Sequence, residues 1–420
     1  MRLMPLDENT FEEEETGPVE AVNPDDDTKA HKAVSRDDDT KHFTAAVKLA
    51  GKGYLDYAVI VAGILCLLVG LSGSKESGPL PTLAGSVGPV ARKKINNGIE
   101  WQIREGNIRS LAWDANGLHL AVGSDTGSIE VWDVDDDKKL HDLEKTGEVL
   151  ALAFGTRKND DDEEEPYLYS VHGTFRPRGY EDCRLVLWHL NTGELRQQLG
   201  IPLVQIQAVS FSSNGLSLAI ASPNELHLCD LERMKAYTSP VDFKFPSSVA
   251  IGGEGGEDIF VGETTGSVLL SGGAPEEITQ RKSFYAGQTQ TIVALASKGR
   301  RAAVGFSSGM EGESMVSRPI RFWKDWQLWD QEMSLNVGQG GVEGLQFVGE
   351  SQLAAFTVAF AQANEKWQRK VELKMWNLED GTMAAKALPW DTRTCIVSND
   401  GHRLAVAIAG GRAQVIQLNR

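Results

Sequence analysis

Residues 106–140 alternate apolar and polar side chains in three short runs separated by tight turns. The runs cover 108–113, 118–123 and 128–134, and the turns between them are rich in Asp, Asn and Gly, which favour chain reversals. Alternation with a period of two is typical of strands that bury one face. The pattern therefore predicts a three-stranded antiparallel meander.

The same order of strands and turns recurs along the rest of the chain. Further copies occupy residues 149–195, 206–232, 248–272, 291–326, 342–381 and 394–419. Their third strands are marked by Trp132, Trp188, Cys229, a position near 270, Trp323, Trp376 and a position near 416. The short intervals between markers are about 40 residues and the longer ones contain insertions, so the chain holds seven units of one repeat.

In its period and its order of turns, the region 98–420 resembles the tryptophan–aspartate (WD) repeat family of β-propellers, whose units of about 40–45 residues form four strands. Trp132-Asp133 matches the family's Trp-Asp pair, whereas Glu105-Gly106-Asn107 stands where the family has Gly-His. The resemblance implies an all-β, seven-bladed propeller with an incomplete hydrogen-bonded tetrad. It also implies that the alternating segment 98–104 supplies the outer strand of the last blade and closes the ring.

Three further segments precede the repeats. Residues 1–53 are acidic and poor in apolar side chains, which predicts a disordered tail. An alternative hypothesis makes Thr10, Thr28 and Thr40, each beside acidic residues, phosphorylation or docking sites. Residues 74–97 are rich in Gly, Pro and Ser, which predicts a linker.

Residues 54–73 are predicted to form a transmembrane helix, because Ala58–Leu71 lacks any polar side chain and tyrosines precede it. A core helix, a cleaved signal peptide and a lipoprotein signal fit the flanking sequence less well. Over the wider flanks the Lys and Arg counts on the two sides of the helix are equal, but the nearer charges, Lys48 and Lys52 before it against Lys75 after it, favour an exported propeller under the positive-inside rule.

Composition and motifs narrow the function classes. A net charge of -17 argues against a nucleic-acid partner. Neither the four cysteines nor the eight histidines show metal-ligand spacing, so no metal or cofactor is expected. Gly305–Gly309 matches a hydrolase G-x-S-x-G pattern but ends a strand where that chemistry needs a strand-to-helix turn. The loop starting at Asp133 imitates a calcium-binding loop but has Lys138 where glycine is required.

These observations predict a membrane-anchored, non-catalytic protein-interaction scaffold. Two alternatives remain open: a propeller enzyme or small-ligand sensor that uses the central channel, and a membrane-bound exchange factor or coat-like trafficking component. An enzyme would gather His, Asp and Arg from several first strands around the channel, whereas these strands are mainly apolar in sequence.

Three second-to-third connections are longer than the others and are predicted to project as loops from one rim: 172–182, 307–319 and 359–370. Antiparallel order places the acidic run 160–165 on the opposite rim. The partner-binding residues predicted on these loops are Phe175, Arg176, Arg178, Tyr180, Arg318, Trp367 and Arg369. Aromatic and arginine side chains dominate binding hot spots, so this rim is expected to hold an acidic or extended protein segment. The alternative is that insertions simply accumulate at tolerant loop tips.

Overall fold

The computed structural model describes residues 92–95, 98–143, 147–158, 162–176, 179–202, 205–213, 215–241, 245–253, 258–272, 279–285, 292–311, 314–327, 332–363 and 366–418. Every regular element in these residues is a β-strand. None of the described segments forms a helix that could span a membrane. The predicted tail, 1–53, and the predicted transmembrane helix, 54–73, lie outside the described residues.

Seven antiparallel sheets form the blades: six consist of four strands side by side and the seventh has a fifth strand. Blade 1 consists of β3 (Ile108–Trp113), β4 (His119–Ser124), β5 (Ile129–Asp133) and β6 (Lys138–Leu143). Blade 2 consists of β7 (Glu148–Lys158), β8 (Glu164–Arg176), β9 (Gly179–His189) and β10 (Glu194–Gly200). Blade 3 consists of β11 (Ala208–Phe211), β12 (Ser217–Ser222), β13 (Glu225–Asp230) and β14 (Lys235–Pro240).

The remaining blades follow the same plan. Blade 4 consists of β15 (Pro246–Gly252), β16 (Asp258–Glu263), β17 (Ser267–Gly272) and β18 (Thr279–Tyr285). Blade 5 consists of β19 (Ile292–Lys298), β20 (Arg301–Phe306), β23 (Ile320–Trp323) and β24 (Glu332–Leu335). Blade 6 consists of β25 (Gly341–Val348), β26 (Gln352–Ala363), β27 (Lys366–Asn377) and β28 (Met383–Leu388). Blade 7 consists of β29 (Thr392–Val397), β30 (Arg403–Ile408), β31 (Arg412–Gln417) and β2 (Gly98–Gln102), with β1 (Arg92–Ile95) as a fifth strand.

Seven hydrophobic clusters hold the blades together, and each cluster joins two neighbouring blades. Between blades 7 and 1, for example, Trp101 packs against Trp132 with ring centroids 5.0 Å apart. The series closes on itself, so the blades form a complete ring. Burying apolar side chains on both faces of each inner strand is the main stabilising contribution of such a core.

The ring closes through the strand that precedes the first repeat. β2 pairs antiparallel with β31, with Gly98 opposite Ile416, which confirms the closure predicted from the sequence. At Gly98 an added Cβ would lie 2.0 Å from the carbonyl oxygen of Val415, so only glycine fits this close approach. Outside β2, the strand β1 lies in the segment predicted as a linker, and it covers the edge that β2 would otherwise expose.

The Trp-Asp pair is structural, as the sequence predicted. Trp132 is buried, and Asp133 Oδ1 accepts hydrogen bonds from the backbone N–H groups of Asp135 and Asp136, both at 3.0 Å. Trp132 Nε1 donates to Glu130 Oε2 at 3.1 Å, so blade 1 satisfies the buried indole with a carboxylate. The equivalent Trp188 of blade 2 donates to a serine, so the blades solve the same problem with different polar partners.

The three long second-to-third connections are not irregular loops, contrary to the sequence-based expectation. In blade 2 the pairing of β8 with β9 continues to Arg176 opposite Gly179, and in blade 6 that of β26 with β27 continues to Ala363 opposite Lys366. In blade 5 the connection contains a separate hairpin of β21 (Gly309–Glu311) and β22 (Ser314–Val316). Continued pairing satisfies the backbone groups that a loop would leave to water.

Candidate partner-binding rim

The end of the propeller that carries the second-to-third turns is called the hairpin rim below. In blade 6 the hairpin extends five paired residues past Val358, which is opposite the start of β25. In blade 2 it extends three residues past Gly173, which is opposite the start of β7. At about 3.4 Å per residue these projections are about 17 Å and about 10 Å long. Blades 7 and 1, which lie between them, have short turns, so the two hairpins flank a lower stretch of the rim.

Two of the predicted residues meet on the blade 2 hairpin. Phe175 is opposite Tyr180, and their rings contact edge to face with centroids 5.4 Å apart. Phe175 is 44% exposed, whereas Tyr180 is half-buried and its hydroxyl donates to Glu148 Oε1 at 3.4 Å. Burial and the nearby Glu148 carboxylate raise the pKa of Tyr180 to about 12. The pair is a rigid aromatic surface with one face open to a partner.

Arg369 lies on the blade 6 hairpin, and its guanidinium Nη1 donates to the carbonyl oxygens of Trp390 at 2.8 Å and Thr392 at 2.7 Å. These bonds fix the connection between blades 6 and 7 against the hairpin. Trp390, which the sequence prediction missed, is 72% exposed, and Phe360, opposite Arg369, is 48% exposed. Blade 6 therefore presents a second aromatic surface beside a positioned arginine.

The other predicted residues do not join one cluster in the described structure. Arg318 is half-buried in blade 5, next to the β21–β22 hairpin. Arg178 and the side chains of Arg176 and Trp367 lie outside the described residues. Among the predicted residues that the structure describes, Phe175 and Tyr180 form a contacting pair on blade 2, Arg369 lies on the blade 6 hairpin and Arg318 lies in blade 5.

Charged residues at the starts of the first strands were missed by the sequence prediction. Arg109 Nε lies 2.9 Å from Glu148 Oε1 across the boundary between blades 1 and 2. Arg109 and Arg393 are the second residues of β3 and β29, and Glu343 is the third residue of β25. A charged residue within the first three positions of these first strands is visible once the repeats are aligned. It was hidden because the runs as a whole are mainly apolar.

A cavity of about 340 Å³ lies among the first strands of blades 3 to 6. Its lining consists of Gln207, Ala208, Val209, Ser210, Ser247, Ser248, Val249, Ala294, Leu295, Glu343, Gly344 and Leu345. The Glu343 side chain is exposed to water in the cavity, but the surrounding protein removes part of its hydration. This desolvation raises the pKa of the Glu343 carboxyl group, and the positive charge of Arg369 lowers it. The lining is mainly small and uncharged.

Metal and thiol chemistry find little support in the described part of the chain. No group of three His, Cys, Asp or Glu residues there could hold a metal ion. Burial raises the pKa of Cys183 to about 11 and those of Cys229 and Cys395 to about 12, so these thiols are poor nucleophiles at neutral pH. The described part of the acidic run, residues 162–165, lies on the rim opposite the hairpins, where 162–163 precede β8 and Glu164 and Glu165 begin it.

Residues 83–157 match the family described as Anaphase-promoting complex subunit 4 WD40 domain. No curated protein sequence matches the chain. The matched segment includes the whole of blade 1, with its Trp-Asp pair, and the strand that closes blade 7. Together, this match and the seven-bladed architecture support placing the propeller in the WD-repeat β-propeller family.

Proposed function

We propose that the protein is a non-catalytic interaction scaffold, anchored in a membrane through residues 54–73, that binds partner proteins at the hairpin rim. The observation that carries this proposal is the pair of projecting hairpins on blades 2 and 6, each with an exposed aromatic side chain. Projecting aromatic and arginine side chains on rigid strands lose little conformational entropy on binding and bury large areas.

Two further observations support the proposal. The family matched by residues 83–157 is named for a subunit of a protein complex, and WD-repeat propellers are typically interaction scaffolds. The residues around the central cavity are mainly small and uncharged, which favours a surface function over chemistry in the channel.

The rim is tested by changing Phe175, Arg176, Arg178 and Trp367 together to alanine in the full chain. Co-purification of partner proteins should be lost, while the melting temperature stays near that of the wild type because Phe175, Arg176 and Trp367 lie on strands that project beyond the blades. The matched control neutralises the acidic run 160–165 on the opposite rim and should retain the partners. If this control loses the partners and the alanine variant keeps them, the partners bind at the rim of the acidic run and not at the hairpin rim.

The membrane topology is tested separately. A reporter enzyme that is active only in the cytosol, fused after Arg420, should be inactive if the propeller is exported. An active fusion would show that the propeller faces the cytosol, and it would change the set of proteins that the rim could meet.

A further inference from the structure

The first strands share a backbone irregularity close to the hairpin rim. In six blades the pairing of the first strand with the second slips by one residue, which is a β-bulge. The residues that the pairing skips are Arg109, Leu150, Ser247, Val293, Glu343 and Arg393. A bulge leaves its residue out of the ladder and changes the direction of its side chain. Ser247 and Glu343 line the central cavity, so these two bulges turn side chains toward the channel.

In three consecutive blades, 6, 7 and 1, the skipped residue is charged: Glu343, Arg393 and Arg109. Arg109 already has a carboxylate partner, Glu148, at 2.9 Å. Arg393 is exposed, and within the described part of the chain it makes no hydrogen bond and no ion pair. Its neighbour Asp391 is already paired with Arg412 at 2.5 Å. Arg393 is therefore a cation without an ion pair of its own in the described residues, and the neighbouring Asp391 carboxylate that acts on its pKa is paired with Arg412.

Arg369 adds a third guanidinium group near the starts of β3 and β29. Its two hydrogen bonds to the carbonyl oxygens of Trp390 and Thr392 hold it beside the start of β29, where Arg393 follows Thr392. Arg109 lies on β3, the first strand of blade 1, which packs beside β29. Partial burial and the positive charge of Arg369 lower the pKa of Arg393, Asp391 raises it, and Arg109 lowers it. Glu148 is paired with Arg109 and Asp391 with Arg412, whereas Arg369 and Arg393 form no ion pair in the described part of the chain. Two guanidinium groups without an ion pair favour the binding of an anion.

We propose that Arg109, Arg369 and Arg393 form an anion site on blades 6, 7 and 1 that holds a carboxylate or phosphate group of a bound protein segment. The proposal rests on the proposed function, because the anion belongs to a partner at the hairpin rim. Arg393 supplies a free planar fork, which can donate two parallel hydrogen bonds to such a group. Arg369 is fixed by the backbone and Arg109 by Glu148, so their side chains need little reorganisation on binding.

The surroundings define the segment more closely. The site lies between the hairpins of blades 2 and 6, in the lower stretch of the rim. Trp390, whose carbonyl oxygen Arg369 holds, is 72% exposed and can contact an apolar side chain next to the anion. The expected occupant is therefore an extended protein segment with an acidic or phosphorylated residue and a neighbouring apolar residue.

The test measures binding of three fluorescent peptide pools to the full chain in detergent micelles. Each pool has random flanking positions, and its central residue is glutamate, phosphoserine or glutamine. The wild type should prefer the glutamate or the phosphoserine pool over the glutamine pool, and the stronger of the two identifies the source of the anion. Arg393→Gln should weaken binding of the preferred pool by about tenfold, because one charge-assisted pair is lost. Arg393→Lys, which keeps the charge but not the fork, should lie in between.

The matched control is Arg233→Gln. Arg233 is an exposed arginine in the third-to-fourth turn of blade 3, on the rim opposite the hairpins, and its substitution should leave the preference unchanged. Equal binding of all three pools by the wild type, or an unchanged preference in Arg393→Gln, would overturn the anion site. Such a result would leave the rim intact as a binding face if the alanine variant of the hairpins still loses its partners. Conversely, the anion preference would stand even if those hairpin residues proved dispensable.

Discussion

Acidification should destabilise the propeller through one buried histidine, His172 in β8. Its side chain is fully buried, and its ring joins a short hydrogen-bonded chain in blade 2. Trp188 Nε1 donates to Ser170 Oγ at 2.8 Å, Ser170 Oγ lies 2.7 Å from His172 Nε2, and His172 Nδ1 lies 3.2 Å from the carbonyl oxygen of Gly147. A carbonyl oxygen only accepts, so Nδ1 carries the proton and Nε2 accepts from the serine hydroxyl. Every polar atom in this chain is satisfied when the imidazole is neutral.

Burial lowers the pKa of His172 from 6.5 to about 4. Between these values the unfolded chain binds a proton that the folded chain excludes, so stability is present above the unfolded pKa and is lost as the pH falls through the window. One pKa unit corresponds to about 1.4 kcal/mol, and lowering the pH from 7.5 to 4.5 should therefore remove about 2.5 kcal/mol of unfolding free energy through this group.

The perturbation that isolates this effect is His172→Asn, which cannot titrate. At pH 7.5 the variant should be less stable than the wild type by about 1–3 kcal/mol, because Ser170 loses its acceptor. At pH 4.5 this difference should shrink by about 2.5 kcal/mol. Urea unfolding of the full chain in detergent, followed by tryptophan fluorescence at both pH values, measures it.

A control variant separates titration from the loss of a hydrogen bond. Trp188→Phe removes the indole donor but keeps the histidine, so its destabilisation should be about the same at both pH values. A difference between wild type and His172→Asn that does not change from pH 7.5 to pH 4.5 would refute the assignment of His172 as a buried, neutral group.

Two other substitutions test the ring closure and the channel. Gly98→Ala places a methyl group against the carbonyl oxygen of Val415 and should lower the free energy of unfolding, measured with urea, by about 1–3 kcal/mol. Gly200→Ala is the control and should lower it much less, because nothing lies within 4 Å of an added Cβ there. Equal effects of the two substitutions would contradict the closure geometry. The pKa of Glu343 is raised, so the folded chain keeps its proton to higher pH and loses stability as the pH rises through that window. Glu343→Gln should therefore become more stable relative to the wild type between pH 4 and pH 7.5, and a constant difference between their urea midpoints would show that the carboxyl group is not enclosed.

The sequence by itself determined the repeat and its main consequence. The second strands, such as His119–Ser124 and Ser217–Ser222, are almost wholly buried. Their apolar runs, and the Gly and Asp turns around them, could therefore be recognised from the sequence alone. Counting these units predicted seven blades, and the unpaired alternating segment at 98–104 predicted how the ring closes. Both predictions were confirmed, because each depends on a local pattern that is repeated many times.

The fourth strands were less visible for a physical reason. Glu194–Gly200 is mostly exposed and Lys138–Leu143 alternates between exposed and half-buried positions, so both can be polar. Their strand character comes from pairing with the third strand rather than from burial. The sequence pattern alone therefore showed three strands in each unit, and the fourth was implied by the family resemblance.

The candidate site was decided by tertiary structure. The antiparallel order of the strands predicted which rim the insertions occupy, but the sequence could not show that they are paired hairpins, since pairing depends on the partner strand. It also could not show that bulges remove Arg109 and Arg393 from their ladders, or that Arg369 from another strand lies beside them. These side chains are about 280 residues apart at the extremes of the repeats and become neighbours only because blade 7 closes against blade 1.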